Sequence, residues 1–590
     1  MALNSITQLV INNTVITSFK KLVLEQEIDS HQTITVECRM DVLEKLGDEL
    51  ANSSKEFLGE TLSLEINALQ GFEGEIYKTL EFKGVVTEVR TIKGHEISNG
   101  DRVVITAKSM SYITDDGGNY TSFNDVSLSE IIEKTFEGYD RSKINLEIRP
   151  DNDITLHYSV QHNESAYEYV KRLSKQYGHW FYYDGTKIIF GEPGDQELTL
   201  TYGQDLKEYQ VSLIPKSNNY KLFANDYLTD AVQEKSTSGT SANLNSFGNF
   251  VSEKSSKIYT KETKIWHNLY NDGQVQQRLD NMTNLQKKAI DVQQVKVYGV
   301  CDNPGVKIGN IVKIEGNSYR IIKVTHVTNQ VGDYQNSFEA ITAGDNVYPF
   351  TNLNAFPQSK TQTAIVKENN DPEGLGRVRV QFHWQQSENE LTPWLRMVNP
   401  HGGGDKGFYF VPEIEEQVLI GFEGDNAEHP YVLGTLYNGS QSVGAFNTQN
   451  NDLKVIKTRS GHTIELNDAE SAEKITITDK NSNIITIDTA NNNIEISALE
   501  NMTFNAKNMQ INVQENLDIS VGENKNESIG KRQTLTAKNS TILIDEKAEM
   551  QSKVLEKNAE KVTINSTKEN FDLSSAKQVV SNSSEKNILI

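Results

Sequence analysis

Asp371-Pro372-Glu373-Gly374-Leu375-Gly376-Arg377-Val378-Arg379-Val380-Gln381-Phe382-His383-Trp384 reads as a turn followed by a strand. Asp371 and Pro372 open the turn, and Gly374 and Gly376 supply the backbone freedom it needs. From Arg377 the side chains alternate with a period of two. Val378, Val380, Phe382 and Trp384 fall on one face; Arg377, Arg379, Gln381 and His383 fall on the other. Such a strand is one wall of a small β-barrel.

The stretches downstream supply more walls. They are Trp394 to Val398, Gly407 to Pro412, Gln417 to Phe422 and Tyr431 to Tyr437, with a Gly402-Gly403-Gly404 loop between. Five short strands within residues 363–439 fit the partly open OB barrel. OB barrels often bind single-stranded nucleic acid, and Arg377, Arg379, His383 and Trp394 form a candidate face for it. The acidic residues Glu413, Glu415, Glu416, Glu423, Asp425 and Glu428 argue against that use. So does the net charge of −23, since nucleic-acid binders carry a basic footprint. The basic face is instead expected to pair with this acidic run. The triple glycine lacks the Gly-Lys-Ser/Thr of a phosphate loop, and His383, His401 and His429 lack metal-ligand spacing.

Upstream, residues 6–115 are strand-rich, with Phe82 to Val89 the clearest alternation. Ser127 and Glu130 form a capping pair ahead of Leu128, Ile131 and Ile132. Ala166, Tyr169, Val170, Leu173 and Tyr177 repeat at helical spacing, and Gly178 sits where a C-terminal cap belongs. The aromatic strand His179 to Tyr183 follows, with Asp184-Gly185 turning into Lys187 to Phe190. This aromatic cluster admits a ligand cleft, but a helix packed on a hairpin explains it more simply. Residues 232–256, rich in Ser, Thr, Asn and Gly, read as a mobile surface loop. A helix from about Gly273 to Ile290 precedes a second group of strands. The expected divisions are a first hub barrel (1–120), a helix and hairpin connector (121–220), a second barrel (221–355), the OB domain (363–439) and a tail (440–590).

The tail changes composition. It has no Pro, Trp, Tyr or Cys, and Phe446, Phe504 and Phe571 are its aromatics. Ile464/Leu466, Ile475/Ile477, Ile485/Ile487, Ile494/Ile496, Met502/Phe504, Ile511/Val513 and Leu517/Ile519 form a ladder with Asn-rich turns. The ladder resumes from Leu535 to Val579. Each rung offers one or two inward side chains, too few to close a core in one chain, so the rungs must stack on neighbours or copies. A single-chain solenoid or several chains wound into a β-prism meet that need; the short rungs favour the prism, in which about a dozen rungs at roughly 5 Å each span some 60 Å. The apolar end Asn587-Ile588-Leu589-Ile590 is expected to be capped by a partner.

Length and chemistry narrow the function. A chain of 590 residues exceeds a single core. Cys38 and Cys301 support neither a disulfide scaffold nor a cysteine zinc site and read as buried thiols. No stretch reaches the roughly 20 apolar residues of a membrane span, and Met1 to Phe19 lacks the basic start of a secretory leader. No nucleophile elbow, zinc motif or recognisable carboxylate pair points to catalysis.

Barrels, OB domain and prism in this order resemble the VgrG family, the trimeric hub and spike proteins of type VI secretion, themselves similar to a phage tail hub fused to its needle. The resemblance rests on Gly376, Arg377, Val378, Arg379, Val380, Phe382, Trp384 and Trp394. It extends through Gly407 to Pro412, Glu416 to Phe422 and His429 to Gly434, and in the hub through Asn163-Glu164-Ser165 and Tyr177 to Tyr183. The phage needle's valine-glycine octad is absent. The resemblance implies a mainly β fold: two barrel-like hub domains with short helices, an OB neck, and a trimeric β-helical needle. It implies a structural, non-enzymatic role without cofactor or metal. The implied partners are two further copies, an Hcp-like tube protein, baseplate proteins, and a PAAR-like tip protein with effectors at Asn587 to Ile590. The implied location is the bacterial cytoplasm during assembly, then the target cell or medium without a signal peptide. A phage tail or extracellular contractile particle shares the architecture, and a spike carrying cell-wall hydrolase activity is the enzymatic alternative.

Overall fold

The computed structural model describes residues 5–44, 52–68, 78–94, 100–269, 273–586 and 588. It is mainly β. The chain divides into two units, residues 1–496 and 497–590.

In the first unit the two strand-rich stretches of the hub join, among the described residues, into one 13-stranded sheet. The seam is the antiparallel pairing of Lys21–Glu27 with Asn317–Thr328, which sets Val23 opposite Val327 and Leu24 opposite His326. The sheet covers two separate hydrophobic cores, one built around Leu9, Phe82, Ile105 and Tyr169, the other around Val297, Ile321, Val324 and Phe338. A buried polar chain reinforces the seam. His326 Nδ1 lies 2.6 Å from the Tyr334 hydroxyl and Nε2 3.1 Å from Gln26 Oε1, while Gln26 Nε2 donates to Gln32 Oε1 at 2.6 Å.

The aromatic hairpin is the wall between the cores. Trp180–Tyr183 pairs with Ile188–Gly191, and every residue of both strands is buried. Phe181, Tyr183, Ile188 and Phe190 enter the first core; Trp180, Tyr182 and Ile189 enter the second. The period-two alternation of a strand allows one hairpin to serve both. The Ala166–Tyr177 helix packs beside it, opened by a capping box between Ser165 and Glu168 and closed by Gly178 at φ 73°, a left-handed conformation that glycine adopts without a Cβ penalty. Cys38 and Cys301 are buried free thiols, and burial pushes both up to about 12.

Residues 232–256 are not a mobile loop. They contribute to the strand Ala231–Ser236 and the helix Ser246–Ile258, which Asn245 caps by accepting from the Gly248 amide at 2.9 Å. Val251 and Ser255 bury one face of that helix. Low hydrophobicity concealed it, because a polar composition still permits a capped helix with a narrow buried stripe.

The OB domain holds strands Gln362–Glu368, Arg379–Phe382, Gln417–Phe422 and Pro430–Leu436 around Val366, Val380, Phe382, Val418 and Val432. Residues 395–398 close it. Leu395 exchanges backbone hydrogen bonds with Val378 at 2.8 and 3.1 Å, and Val432 donates to the Arg396 carbonyl at 2.9 Å. The expected strand from Gly407 to Pro412 does not form. Gly402–Gly403 and Lys406–Gly407 make a two-rung hairpin, and Phe408, Tyr409 and Phe410 stand exposed beyond it.

The first tail rungs form a five-stranded antiparallel sheet over residues 453–497. Its register stacks Ile464 on Ile477 and Ile477 on Ile485, with Leu466 on Ile475 and Ile475 on Ile487. Asp479 holds one turn by accepting from the amides of Asn481 and Asn483 at 2.8 and 2.9 Å, the side-chain turn that Asp and Asn readily make. Among the described residues from 498 onward no strand forms, and the apolar rungs are exposed.

Candidate functional site

The side chains that matter most join the hub to the OB domain. Arg172, on the Ala166–Tyr177 helix, is buried beside the apolar face of Tyr169, Val170 and Leu173. Its Nε and Nη2 donate to the two oxygens of Glu164 at 2.8 and 3.0 Å. Nη2 also donates to the Val160 carbonyl at 2.6 Å, and Nη1 to Gln176 at 3.4 Å. The last Nη1 donor goes to Glu428 Oε1 at 3.2 Å, from the OB loop 423–429. That carboxylate also accepts from Ser159 Oγ and the Val160 amide, each at 3.2 Å. Burial alone would lower the Arg172 pKa, but the carboxylates of Glu428 and Glu164 outweigh it and hold the guanidinium above its ordinary value. A buried charge is tolerable only when paired and hydrogen-bonded in this way.

Further bonds flank the pair. The Asn119–Ser127 strand meets the loop after Phe382: Gln385 donates to Ser122 at 2.7 Å, Thr121 donates to Glu388 at 2.9 Å, and Asn124 donates to the Leu391 carbonyl. Gln362 Nε2 lies 2.9 Å from His162 Nε2, and burial lowers the pKa of His162, so a neutral ring nitrogen can accept. Tyr158 and Val160 of the hub pack on Ala427, Trp384 and Phe422 of the OB domain. Asn268 donates to Glu423 at 2.9 Å.

The opening stretch sits beside this junction. Gly376 has φ 70°, and Val378, Val380 and Phe382 are buried in the barrel. The strand ends at Phe382; His383–Gln385 turns away as a single 3-10 turn, and Trp384 stacks on Phe382 with centroids 5.3 Å apart. Trp394 is half-buried beside Leu395. Arg377 and Gln381 are buried too, because the Asp371 turn and the 386–392 loop cover the face that alternation assigns to solvent. The expected pairing of the arginines with Glu413 to Glu428 does not occur within the chain. Arg377 binds Asp371 through Nε and Nη2 at 2.9 and 2.8 Å, and Glu373 at 3.1 Å; Arg379 binds Glu368 at 3.1 Å. These carboxylates lie within about a dozen residues in sequence and need no chain closure to reach. Against the upward push of burial, the Arg377 side chain and the backbone amides of Glu373 and Arg377 hold Asp371 at about 2. The acidic run finds other cations: Arg459 for Glu413, Lys367 for Glu415, Arg396 for Glu423 and Arg172 for Glu428. Of the expected tip residues, Ile588 is exposed, and Asn587, Leu589 and Ile590 lie outside the described residues. Among the described residues no three His, Cys, Asp or Glu side chains are grouped to hold a metal ion.

The family model of the phage tail baseplate hub matches residues 27–332, more than half of the chain. The chain belongs to the phage tail baseplate hub family. A second model, the type VI secretion system and phage-baseplate injector OB domain, matches residues 362–437. The type VI secretion spike protein VgrG1b of Pseudomonas aeruginosa is 23% identical over 375 residues, covering 55% of this chain and 49% of that relative. VgrG1a of the same organism is 22% identical over 479 residues, covering 72% of this chain and 70% of that relative. A chain of the solved Francisella PdpA-VgrG complex, half-lidded, superimposes with a TM-score of 0.52 at 8% identity, covering 84% of this chain and 88% of that one. The fold is therefore shared, and the VgrG resemblance read from the sequence stands. The relatives named here are spike proteins, a structural role.

Glu428→Ala removes the acceptor of Arg172 Nη1, Ser159 Oγ and the Val160 amide, while Arg172 keeps its paired bonds to Glu164. It is expected to cost about 1–3 kcal/mol and to speed limited proteolysis between the hub and the OB domain, within residues 343–361, read by mass spectrometry of the fragments. Burial also pushes His179, His267 and His429 down to about 4. Unfolded histidine titrates near 6.5, so between these values the unfolded chain binds more protons. Stability is then fully present above pH 6.5 and falls as pH drops toward 4, by at most roughly 3 kcal/mol per histidine. The thermal midpoint should already decline between pH 6.5 and 5, where carboxylates remain ionised; a flat profile there contradicts this reading.

Proposed function

We propose that this chain is the hub and spike of a contractile injection machine of the type VI kind. The observation that carries the reading is the apolar ladder that the chain leaves uncovered. Ile494 is 70% exposed, and the rungs from Met502 to Val579 are all exposed in the single chain. Burying each such side chain contributes about 1.5–3 kcal/mol, so an isolated tail forgoes a large stabilisation that copies would supply. Three chains winding together cover the rungs and leave no long free strand edge, which makes a stiff rod.

In this reading the protein does no covalent chemistry. The hub sits on a tube of an Hcp-like protein among baseplate proteins, the buried junction passes axial load to the neck, and the needle leads. A PAAR-like tip protein and effectors bind at Asn587 to Ile590. Assembly takes place in the bacterial cytoplasm, and sheath contraction delivers the spike into the target cell or medium. The matched spike relatives support type VI over a phage tail or an extracellular particle, and their structural role supports a non-enzymatic spike over a wall hydrolase.

Light scattering of the purified full chain should give three times 66.3 kDa, about 199 kDa. A stable monomer with an ordered tail sinks the reading. Removing Asn587 to Ile590 should keep that mass but weaken capture of a PAAR-like protein at least tenfold; undiminished capture removes the tip assignment.

A further inference from the structure

A cavity of about 790 Å³ lies within the first unit, between the Val275–Val292 helix, residues 266–269, and the OB loop 423–429. Small-molecule sites span about 300–1,000 Å³, so its size alone fits a ligand. The helix has two faces. Val275, Leu279 and Met282 join Tyr220 and Leu222 in a small core, while Gln277, Asn281 and Asn284, about one per turn, line the cavity. A polar helix face ordinarily meets only solvent. Here it shares a concave space with Trp266, His267 and Asn426.

Two properties of the lining point to one ligand chemistry. Ten of the lining residues are Asn or Gln. Each amide carries both donors and an acceptor, which suits groups that donate and accept at once, as hydroxyls do. Three carboxylates of the lining, by contrast, are already ion-paired. Glu423 pairs with Arg396 at 2.8 Å, Glu428 with Arg172 at 3.2 Å and Asp345 with Lys288 at 3.5 Å, and Arg278 has a partner of its own. Trp266 adds a flat apolar surface that is half exposed and held edge-on by Phe223 at 5.2 Å. A pyranose ring has the matching form, with an apolar face of C–H groups and a rim of hydroxyls.

We propose that this cavity binds a short neutral oligosaccharide, stacked on Trp266 and hydrogen-bonded by Gln277 and Asn281. The role is binding without cleavage. Of the carboxylates that line it, Glu423, Glu428 and Asp345 are held in ion pairs with Arg396, Arg172 and Lys288, which leaves none of these three poised as the acid and nucleophile of a glycosidase. The cavity is built within one chain, so the proposal stands or falls independently of the trimer.

The test titrates the purified full chain with chitotriose and, separately, maltotriose, following tryptophan fluorescence and calorimetry. At least one sugar should bind with Kd near or below about 1 mM, in the weak range. Trp266→Ala should weaken binding at least tenfold, and Asn281→Ala several-fold, with the thermal midpoint and light-scattering mass unchanged. Trp266→Phe, which keeps a ring, should retain part of the affinity and separates lost stacking from lost fold. No binding of either sugar at about 10 mM overturns the proposal, as does full binding by Trp266→Ala. Binding of trialanine in place of the sugars also overturns it and makes the cavity a peptide site.

Discussion

Arg172 places all five of its N–H donors inside the protein, and one of them crosses to the OB domain. Four bind within the hub, to Glu164, Val160 and Gln176. They orient the guanidinium before the fifth meets Glu428. A buried ion pair of this kind gains little net stability over an apolar contact, yet breaking it by removing one partner is costly. Its value is therefore geometric: it permits one docking of the OB loop on the hub and penalises the rest. The bonds from Gln385, Thr121 and Asn268 lie on either side of that point and need the same docking.

The hub is built to hold Arg172 still. The helix that carries it packs beside the Trp180–Gly191 hairpin, and that hairpin divides two cores under one sheet. Close packing on both faces leaves little room for rotation. The sheet, hairpin, helix and OB loop thus form one continuous packed path within the first unit. The tail follows another logic, with rungs too short to make a core and turns held by Asp479 and Asp488.

Much of this was legible in the chain. The helix over Ala166–Tyr177, its glycine cap, the aromatic hairpin and most OB strands follow from spacing and turn chemistry, which are local properties. The 246–258 helix was hidden because its buried stripe is narrow, and the missing 407–412 strand was misread because aromatic residues favour strands even where none forms. The junction was legible in outline only. Arg172 on the flank of an apolar helix face was a signal, but nothing near it in sequence names Glu428 as its partner.

By itself the sequence determined the parts and their order: a β hub, an OB neck, a ladder of apolar rungs, and the family to which they belong. Periodicity, capping and turn residues act over a few positions, so one chain states them directly. Only the tertiary structure decided which charges meet and where space is left. Arg377 turned to Asp371, Glu428 turned to Arg172, and residues from Asp151 to His429 came to line one cavity. Such pairings depend on which surfaces the cores bring together. The Asp371–Trp384 stretch that first suggested a binding face is, once folded, a barrel wall with its arginines satisfied by their own neighbours.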